Sequence, residues 1–351
     1  PCIQRRRQRG LHVHCRSHPH LRAPQAPAAG TFDCAMSQLL AILGPTASGK
    51  SALALELARR LNGEIISCDS MAVYRDLDIG TAKPSPTERA EIPHHCLDLV
   101  DITERYDVQR FQDDAESAIC GVRKRGRVPI LCGGTGLYAR AVLYGFSFRP
   151  SDPEIQRQVR DQYEMQGPEN LLRELEAADP ERAAACRDNH RHLQRTVEVL
   201  RITGSVPQPE PDRAPRADAT QFILIPTPEY SDLRIRQRVH AMLDAGWIEE
   251  AQGLIQAGLL TSPTARQALG YPLIGNYLAG SISSMSELSE KLTIATRRYA
   301  KRQRTWFRHQ HPGAEILEFN EPVSLAVRLQ SIADRIASLQ PACCPPSAGP
   351  Q

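Results

Sequence analysis

The chain has 351 residues, 41% of them hydrophobic, and a formal net charge of +3. That length can bury a full core, which fits one large globular domain with a smaller appendage. So mild a charge excludes nucleic-acid binding through a global field, leaving only local clusters of cations for that role.

No stretch approaches the roughly 18 consecutive apolar residues needed to cross a bilayer. The ten cysteines include no CxxC pair, and Cys68, Cys120 and Cys132 lie within apolar stretches. That usage fits reduced thiols, and the expected setting is the cytoplasm. A monomer is the expectation for the assembled state.

Residues 1–35 are rich in Arg, His, Pro and Ala, have Asp33 as their only acid and show no periodicity that could bury a face. A disordered leader is expected there, with Met36 a candidate native start. Arginine without acids also fits an organellar transit peptide, but Pro19, Pro24 and Pro27 obstruct the amphipathic helix such a peptide needs. His12, His14, Cys15, His18 and His20 are metal-binding residue types without a scaffold to fix their geometry.

From Leu39 the pattern becomes regular. Residues 39–43, LLAIL, predict a strand that runs into Gly44-Pro45-Thr46-Ala47-Ser48-Gly49-Lys50-Ser51, followed by a helix over 51–61. This GxxxxGKS spacing is a phosphate-binding loop: glycines let backbone N–H groups wrap an anion, and the helix N-terminus adds partial positive charge. Lys50 is placed to reach terminal phosphate oxygens, and the Ser51 hydroxyl to sit on a Mg²⁺ ion. The loop alone leaves open whether those phosphates belong to a nucleotide.

Further strands at 64–68, 97–102, 128–132 and 221–225 alternate with helical patterns such as 108–125. The fold class expected is therefore α/β, a parallel sheet of the P-loop nucleoside-triphosphate-hydrolase type flanked by helices. Catalytic groups then gather at the carboxyl ends of the strands. Strand 64–68 delivers Asp69 there, a candidate general base for an acceptor nucleophile, with a Mg²⁺-supporting or capping role as the alternative. Strand 128–132 ends in Cys132-Gly133-Gly134-Thr135, where glycines permit close ligand approach and Thr135 is placed to hydrogen-bond the nucleophile; a plain tight turn explains the glycines equally well.

The stretch 149–202 changes character, with amphipathic helices predicted over 152–166, 168–178, 180–187 and 192–202, as a helical insertion between core parts 36–148 and 203–320. Residues 203–219 are a Pro-rich loop, and 321–351 a terminal helix with a disordered tail after Leu339. Arg234 and Arg238, four apart on one helix, could reach a leaving phosphate or remain surface charges. In 297–308, RRYAKRQRTWFR, Arg297, Lys301, Arg304 and Arg308 fall at helical spacing. No acid occurs between Leu292 and Gly313, so this face invites a polynucleotide backbone or stands as a solvated basic surface.

Taken together, GPTASGKS at 44–51, SCDSMAVYRDLDIGTAKP at 67–84, CGGTGLY at 132–138, QALGY at 267–271 and TRRYAKRQRTWFR at 296–308 resemble the bacterial tRNA dimethylallyltransferases. The similarity runs in order over residues 38–320. The resemblance implies that the loop binds the diphosphate of dimethylallyl diphosphate rather than ATP. The prenyl group would then pass to the exocyclic amine of the adenosine 3′ of the anticodon. By matching position it implies that Thr46 to Ser51 cradle the diphosphate, Asp69 is the base, Thr135 holds the adenine amine and Arg234 touches the diphosphate.

It also implies contacts to the tRNA anticodon stem-loop from Asp69, Ser70, Met71 and Ala72, from Arg191 and Arg195, and from Gln267, Gly270 and Tyr271. The basic helix carrying Arg297, Lys301 and Arg304 would add backbone contacts. The chain departs from the pattern at Pro272, where relatives often carry Lys or Arg, and across 188–196, DNHRHLQRT. The zinc-finger pattern found at the C-terminus of eukaryotic relatives is not seen in these residues, and a bacterial enzyme is the expectation. The rival activities are a small-metabolite or nucleotide kinase, which would need ATP, and an adenylate dimethylallyltransferase acting on AMP, for which a helical insertion and basic helix are superfluous.

Overall fold

The computed structural model describes residues 38–145, 148–208 and 213–321, together with 330 and 332. The expected leader, the tail and most of 321–351 lie outside the described residues.

Strands β1 (Leu39–Leu43), β2 (Gly63–Cys68), β3 (His94–His95), β4 (Val128–Gly133), β5 (Ala219–Pro226) and β6 (Glu315–Phe319) form one sheet. Their order is β3-β2-β4-β1-β5-β6, and every neighbouring pair is parallel. All five residues of β1 are buried. A strand covered on both faces reads as a continuous apolar run, which is why LLAIL does not alternate. Its side chains still divide by pleat: Leu39, Ala41 and Leu43 enter one core, Leu40 and Ile42 the other.

Helix α1 (Lys50–Leu61) covers the second face with Leu53, Ala54, Leu57 and Ala58. The short α2 (Pro86–Glu91) is fixed by a reciprocal capping box between Ser85 and Glu88. On the opposite face α3 (Val108–Lys124) and α4 (Gly136–Tyr144) pack through stacked Phe111 and Tyr138, ring centroids 4.3 Å apart.

Helices α5 (Pro153–Gln166), α6 (Glu169–Ala178), α7 (Pro180–Cys186) and α8 (His190–Thr203) close around their own apolar centre, formed by Val159, Leu171, Leu175, Ala183, Cys186, Leu193 and Val197. Burying each of the larger of these side chains contributes about 1.5–3 kcal/mol. Asp152, Asp179 and Asn189 cap the starts of α5, α7 and α8. The Asn189 cap starts α8 two residues before the predicted 192.

The chain then returns through β5 to α9 (Pro228–Asp244), α10 (Trp247–Gln256), α11 (Tyr271–Leu278) and the long α12 (Met285–Gln310). These helices supply Ile235, Val239, Trp247, Tyr271, Ala300 and Phe307 to the first core.

Three elements differ from expectation. The predicted strand 97–102 is absent: β3 is the two residues His94–His95, and only an isolated bridge joins Val100 to Tyr74. Cys96 and Asp98 adopt positive φ (59° and 53°), which breaks an extended run. Asp98 instead receives Lys83 and Arg89. β6, unforeseen in the sequence, pairs with β5 although its pattern is half exposed. The basic stretch 297–308 is the second half of α12 rather than a separate helix.

Candidate active site

Sheet register brings the three chemically interesting loops together. Gly133 at the end of β4 pairs with Leu43 of β1 on one side and Cys68 of β2 on the other. The phosphate loop, Asp69 and the Gly134-Thr135 turn therefore leave the sheet side by side. Gly44 begins the loop at φ +152°, where a Cβ would lie 2.5 Å from the Leu224 carbonyl oxygen. Only glycine fits there.

The loop turns into α1, whose start has no side-chain cap, so its first N–H groups remain available to an anion. The Lys50 ammonium donates to the Pro45 carbonyl at 3.2 Å, and burial pushes its pKa down. Arg238 on α9 is likewise lowered by burial, with Asp69 opposing and Arg234 reinforcing that shift. Lys50 and Arg238, both desolvated, are each offset by Asp69, and exposed Arg234 adds a third cation beside Arg238. A multivalent anion would restore the balance.

Two cavities meet here. A cleft of about 1060 Å³ is lined by Ala47, Gly49, Lys50, Ser51, Arg234 and Arg238. A second of about 580 Å³ is lined by Thr46, Lys50, Ser51, Asp69, Ser70, Arg191, Arg238, Gln267, Tyr299, Arg302 and Gln303. Lys50, Ser51 and Arg238 border both, so the phosphate loop stands at their junction.

In the second cavity one Asp69 oxygen accepts the Met71 amide at 2.9 Å, and its other oxygen has no hydrogen-bond partner among the described residues. The Thr135 hydroxyl accepts the Ser70 amide at 3.0 Å and reaches the Ser70 hydroxyl at 3.3 Å. The Thr135 amide donates to the Cys68 carbonyl at 3.2 Å. The turn after β2 that carries the carboxylate and the turn after β4 that carries the threonine are thus tied to each other. The flanking thiols are not nucleophiles: burial raises Cys68 and pushes Cys132 up to about 11.

Among the described residues no group of three or more His, Cys, Asp or Glu could hold a metal. The Ser51 hydroxyl at the junction suits Mg²⁺, which takes few protein ligands and completes its shell from phosphate oxygens and water.

The residues expected to touch RNA divide. Arg191 is exposed on α8 and borders the Asp69 cavity, as does exposed Gln267. Arg195 instead turns inward: it pairs with Glu198 at 2.5 Å and donates to the Arg149 carbonyl at 2.8 Å. Ala72, Gly270 and Tyr271 are buried. The Tyr271 hydroxyl donates to Glu250 at 2.6 Å, and the same carboxylate accepts the amides of Asp78, Ile79 and Gly80. Tyr271 thereby shapes the cavity wall.

On α12, Arg297 is paired with Asp232 of α9 and Arg308 with Glu318 of β6. Partners absent locally are supplied by distant segments. Lys301 and Arg302 are exposed and Arg304 is half-buried. Within the loop, the Thr46 amide is taken by the Gln303 side chain at 2.9 Å, and Ala47, Gly49, Lys50 and Ser51 are the loop residues that face the larger cleft.

Tyr299 and Gln303 carry no motif in the sequence. The available signal is a polar stripe, Thr296, Tyr299 and Gln303 at helical spacing, hidden among cations; all three line the Asp69 cavity. Arg302 lies over the Tyr299 ring at 5.8 Å, and burial raises the Tyr299 phenol.

Comparison with known proteins gives the family. The IPP transferase family model matches residues 72–310, and the isopentenyl transferase model matches 37–104. A tRNA dimethylallyltransferase of Kocuria rhizophila is 44% identical over 283 residues, covering 80% of this chain and 90% of the relative. One from Deinococcus radiodurans is 39% identical, covering 84% and 96%. Among solved structures, a Bacillus halodurans tRNA isopentenylpyrophosphate transferase aligns with TM-score 0.63 at 35% identity, covering 86% of this chain and 96% of that one. A eukaryotic dimethylallyltransferase acting on tRNA aligns with TM-score 0.75 at 28% identity, covering 87% and 80%. The chain belongs to the tRNA dimethylallyltransferase family, the IPP transferases.

Proposed function

We propose that the chain moves the dimethylallyl group from dimethylallyl diphosphate to the exocyclic amine of the adenosine 3′ of a tRNA anticodon. The observation that carries this reading is the junction of two cavities at Lys50, Ser51 and Arg238. Diphosphate binds from the cationic cleft, and the acceptor base enters the cavity lined by Asp69 and Ser70, beside the Thr135 that hydrogen-bonds Ser70.

The adenine amine is a poor nucleophile because its lone pair is delocalised into the ring, so orientation and leaving-group stabilisation supply most of the acceleration. The nitrogen attacks the allylic C1 as the C1–O bond to diphosphate breaks. Negative charge grows on the departing oxygens, and contacts from Lys50, Arg234, Arg238 and the α1 amides strengthen toward the transition state. Asp69 accepts the proton released from the alkylated amine, with Thr135 orienting that amine. Mg²⁺, held by Ser51 and the diphosphate, would neutralise part of the leaving-group charge.

Arg191 and Arg302 border the acceptor cavity and, with exposed Lys301 of α12, would take the RNA backbone, while the target base leaves the loop stack at the modest cost of a single-stranded site. Among the described residues no helix is long and apolar enough to cross a membrane.

Thermal unfolding with each ligand alone tests the donor. A ligand at 100 times its Kd adds about 2.7 kcal/mol. Dimethylallyl diphosphate should raise Tm and ATP should not; stabilisation by ATP alone would favour the kinase.

A further inference from the structure

The side chain of Gln303, on α12, bridges two loops that belong to different strands. Its Oε1 accepts the Thr46 amide of the phosphate loop at 2.9 Å, and its Nε2 donates to the Gly134 carbonyl of the acceptor turn at 2.8 Å. The residue is 8% exposed. Both ends of the carboxamide are therefore committed, in the interior, to backbone atoms 169 and 257 residues away in sequence.

The approach is close: a Cβ on Gly134 would lie 2.5 Å from Nε2 and 3.3 Å from the Gly44 carbonyl oxygen, so a side chain there would displace the carboxamide. Gly44 opens the phosphate loop, and Thr135, next to Gly134, holds the Asp69 turn through Ser70. One carboxamide thus fastens the element that would bind the leaving diphosphate to the element that would present the nucleophile.

We infer that Gln303 is a positioning residue that sets the spacing between the diphosphate and acceptor subsites. The inference rests on the prenyl-transfer reading above. Gln303 does not hold either substrate through the bonds it makes. Its effect falls on the distance and angle across which the amine meets the allylic carbon, and an error of about 1 Å in such an arrangement costs on the order of 100-fold in rate.

Neutral glutamine suits the task. It offers one acceptor and one donor at once, whereas an ionised carboxylate would accept from Thr46 and leave Gly134 facing a negative oxygen. Thr46 borders only the acceptor cavity, and Ala47 and Gly49 only the diphosphate cleft, so the tie leaves the anion cradle free.

The test compares wild type with Gln303→Met, which keeps the volume and loses both bonds, and Gln303→Glu, using an unmodified anticodon stem-loop and labelled dimethylallyl diphosphate. Gln303→Met should lower kcat about 10- to 100-fold while both KM values stay within about threefold. Gln303→Glu should be impaired at pH 8 and recover relative to wild type as pH falls, because the protonated carboxyl regains a donor for Gly134. Circular dichroism with thermal melts of each variant establishes that the fold is retained.

Unchanged kcat in a folded Gln303→Met variant would overturn the inference, as would losses confined to KM or a flat pH ratio for Gln303→Glu. If Gln303→Met fails to fold, the Gln303→Glu pH ratio decides alone. Wild type that transfers no label would instead refute the prenyl-transfer reading, so the two failures are separable.

Discussion

Replacing Asp69 with Asn should abolish proton acceptance while leaving the site's shape intact. The Asn oxygen can still accept the Met71 amide that the carboxylate now holds at 2.9 Å, so the turn and Thr135 should not move, and the stability change should be within about 1 kcal/mol. Loss of a positioned base costs about 10²- to 10⁴-fold in rate, or roughly 3–5 kcal/mol of transition-state stabilisation. The electrostatics predict a second sign. Asp69 favours the charged forms of Lys50 and Arg238, yet it also repels diphosphate, and its removal leaves the cradle with less opposing charge. KM for dimethylallyl diphosphate should therefore stay level or fall. Initial rates with labelled donor, paired with filter binding of tRNA, separate these quantities. Near-normal kcat with a large loss of tRNA affinity would refute the assignment of Asp69 as base.

Lys50→Ala removes a charge-assisted contact worth about 1.5–3 kcal/mol, so affinity for dimethylallyl diphosphate, read by calorimetry, should drop by roughly 10- to 150-fold; unchanged affinity would take the loop out of donor binding. Arg302→Ala should lower the salt slope of tRNA binding by about 0.7–0.9. Arg297→Ala should lower it less, because Arg297 is paired with Asp232; equal effects would mean that pair opens on RNA. Burial pushes the His311 imidazole down to about 4 from 6.5. The folded state holds it neutral while the unfolded chain takes a proton below 6.5, so stability falls as pH drops through that window, by roughly 3 kcal/mol in total. His311→Gln should flatten the slope of urea-unfolding free energy between pH 6.5 and 5; a parallel slope would contradict the assignment.

Much of the core was legible because its signals are local. LLAIL followed by GxxxxGKS marks a buried strand, a loop and the start of a helix within 13 residues. Asp69 and Thr135 were placed at strand tips by the same logic. What escaped depends on contacts across long separations. The extended stretch 97–102 was broken by positive φ at Cys96 and Asp98 and by the pull of Lys83 and Arg89 on the Asp98 carboxylate. The acid-free half of α12 looked unpartnered until Asp232 and Glu318 came to it from α9 and β6. Arg195 resembled a free cation, yet its partner Glu198 is one helical turn away and buried. Gln303 carried no charge and no motif, and its importance appears only when two loops close on it.

The most direct test of the account is to incubate the purified protein with unmodified tRNA and labelled dimethylallyl diphosphate, digest the RNA, and identify the labelled nucleoside by mass spectrometry. Label on the exocyclic nitrogen of the adenosine 3′ of the anticodon, with diphosphate released in equal amount, is the predicted result. RNA without any prenyl carbon, alongside brisk cleavage of ATP, would contradict it.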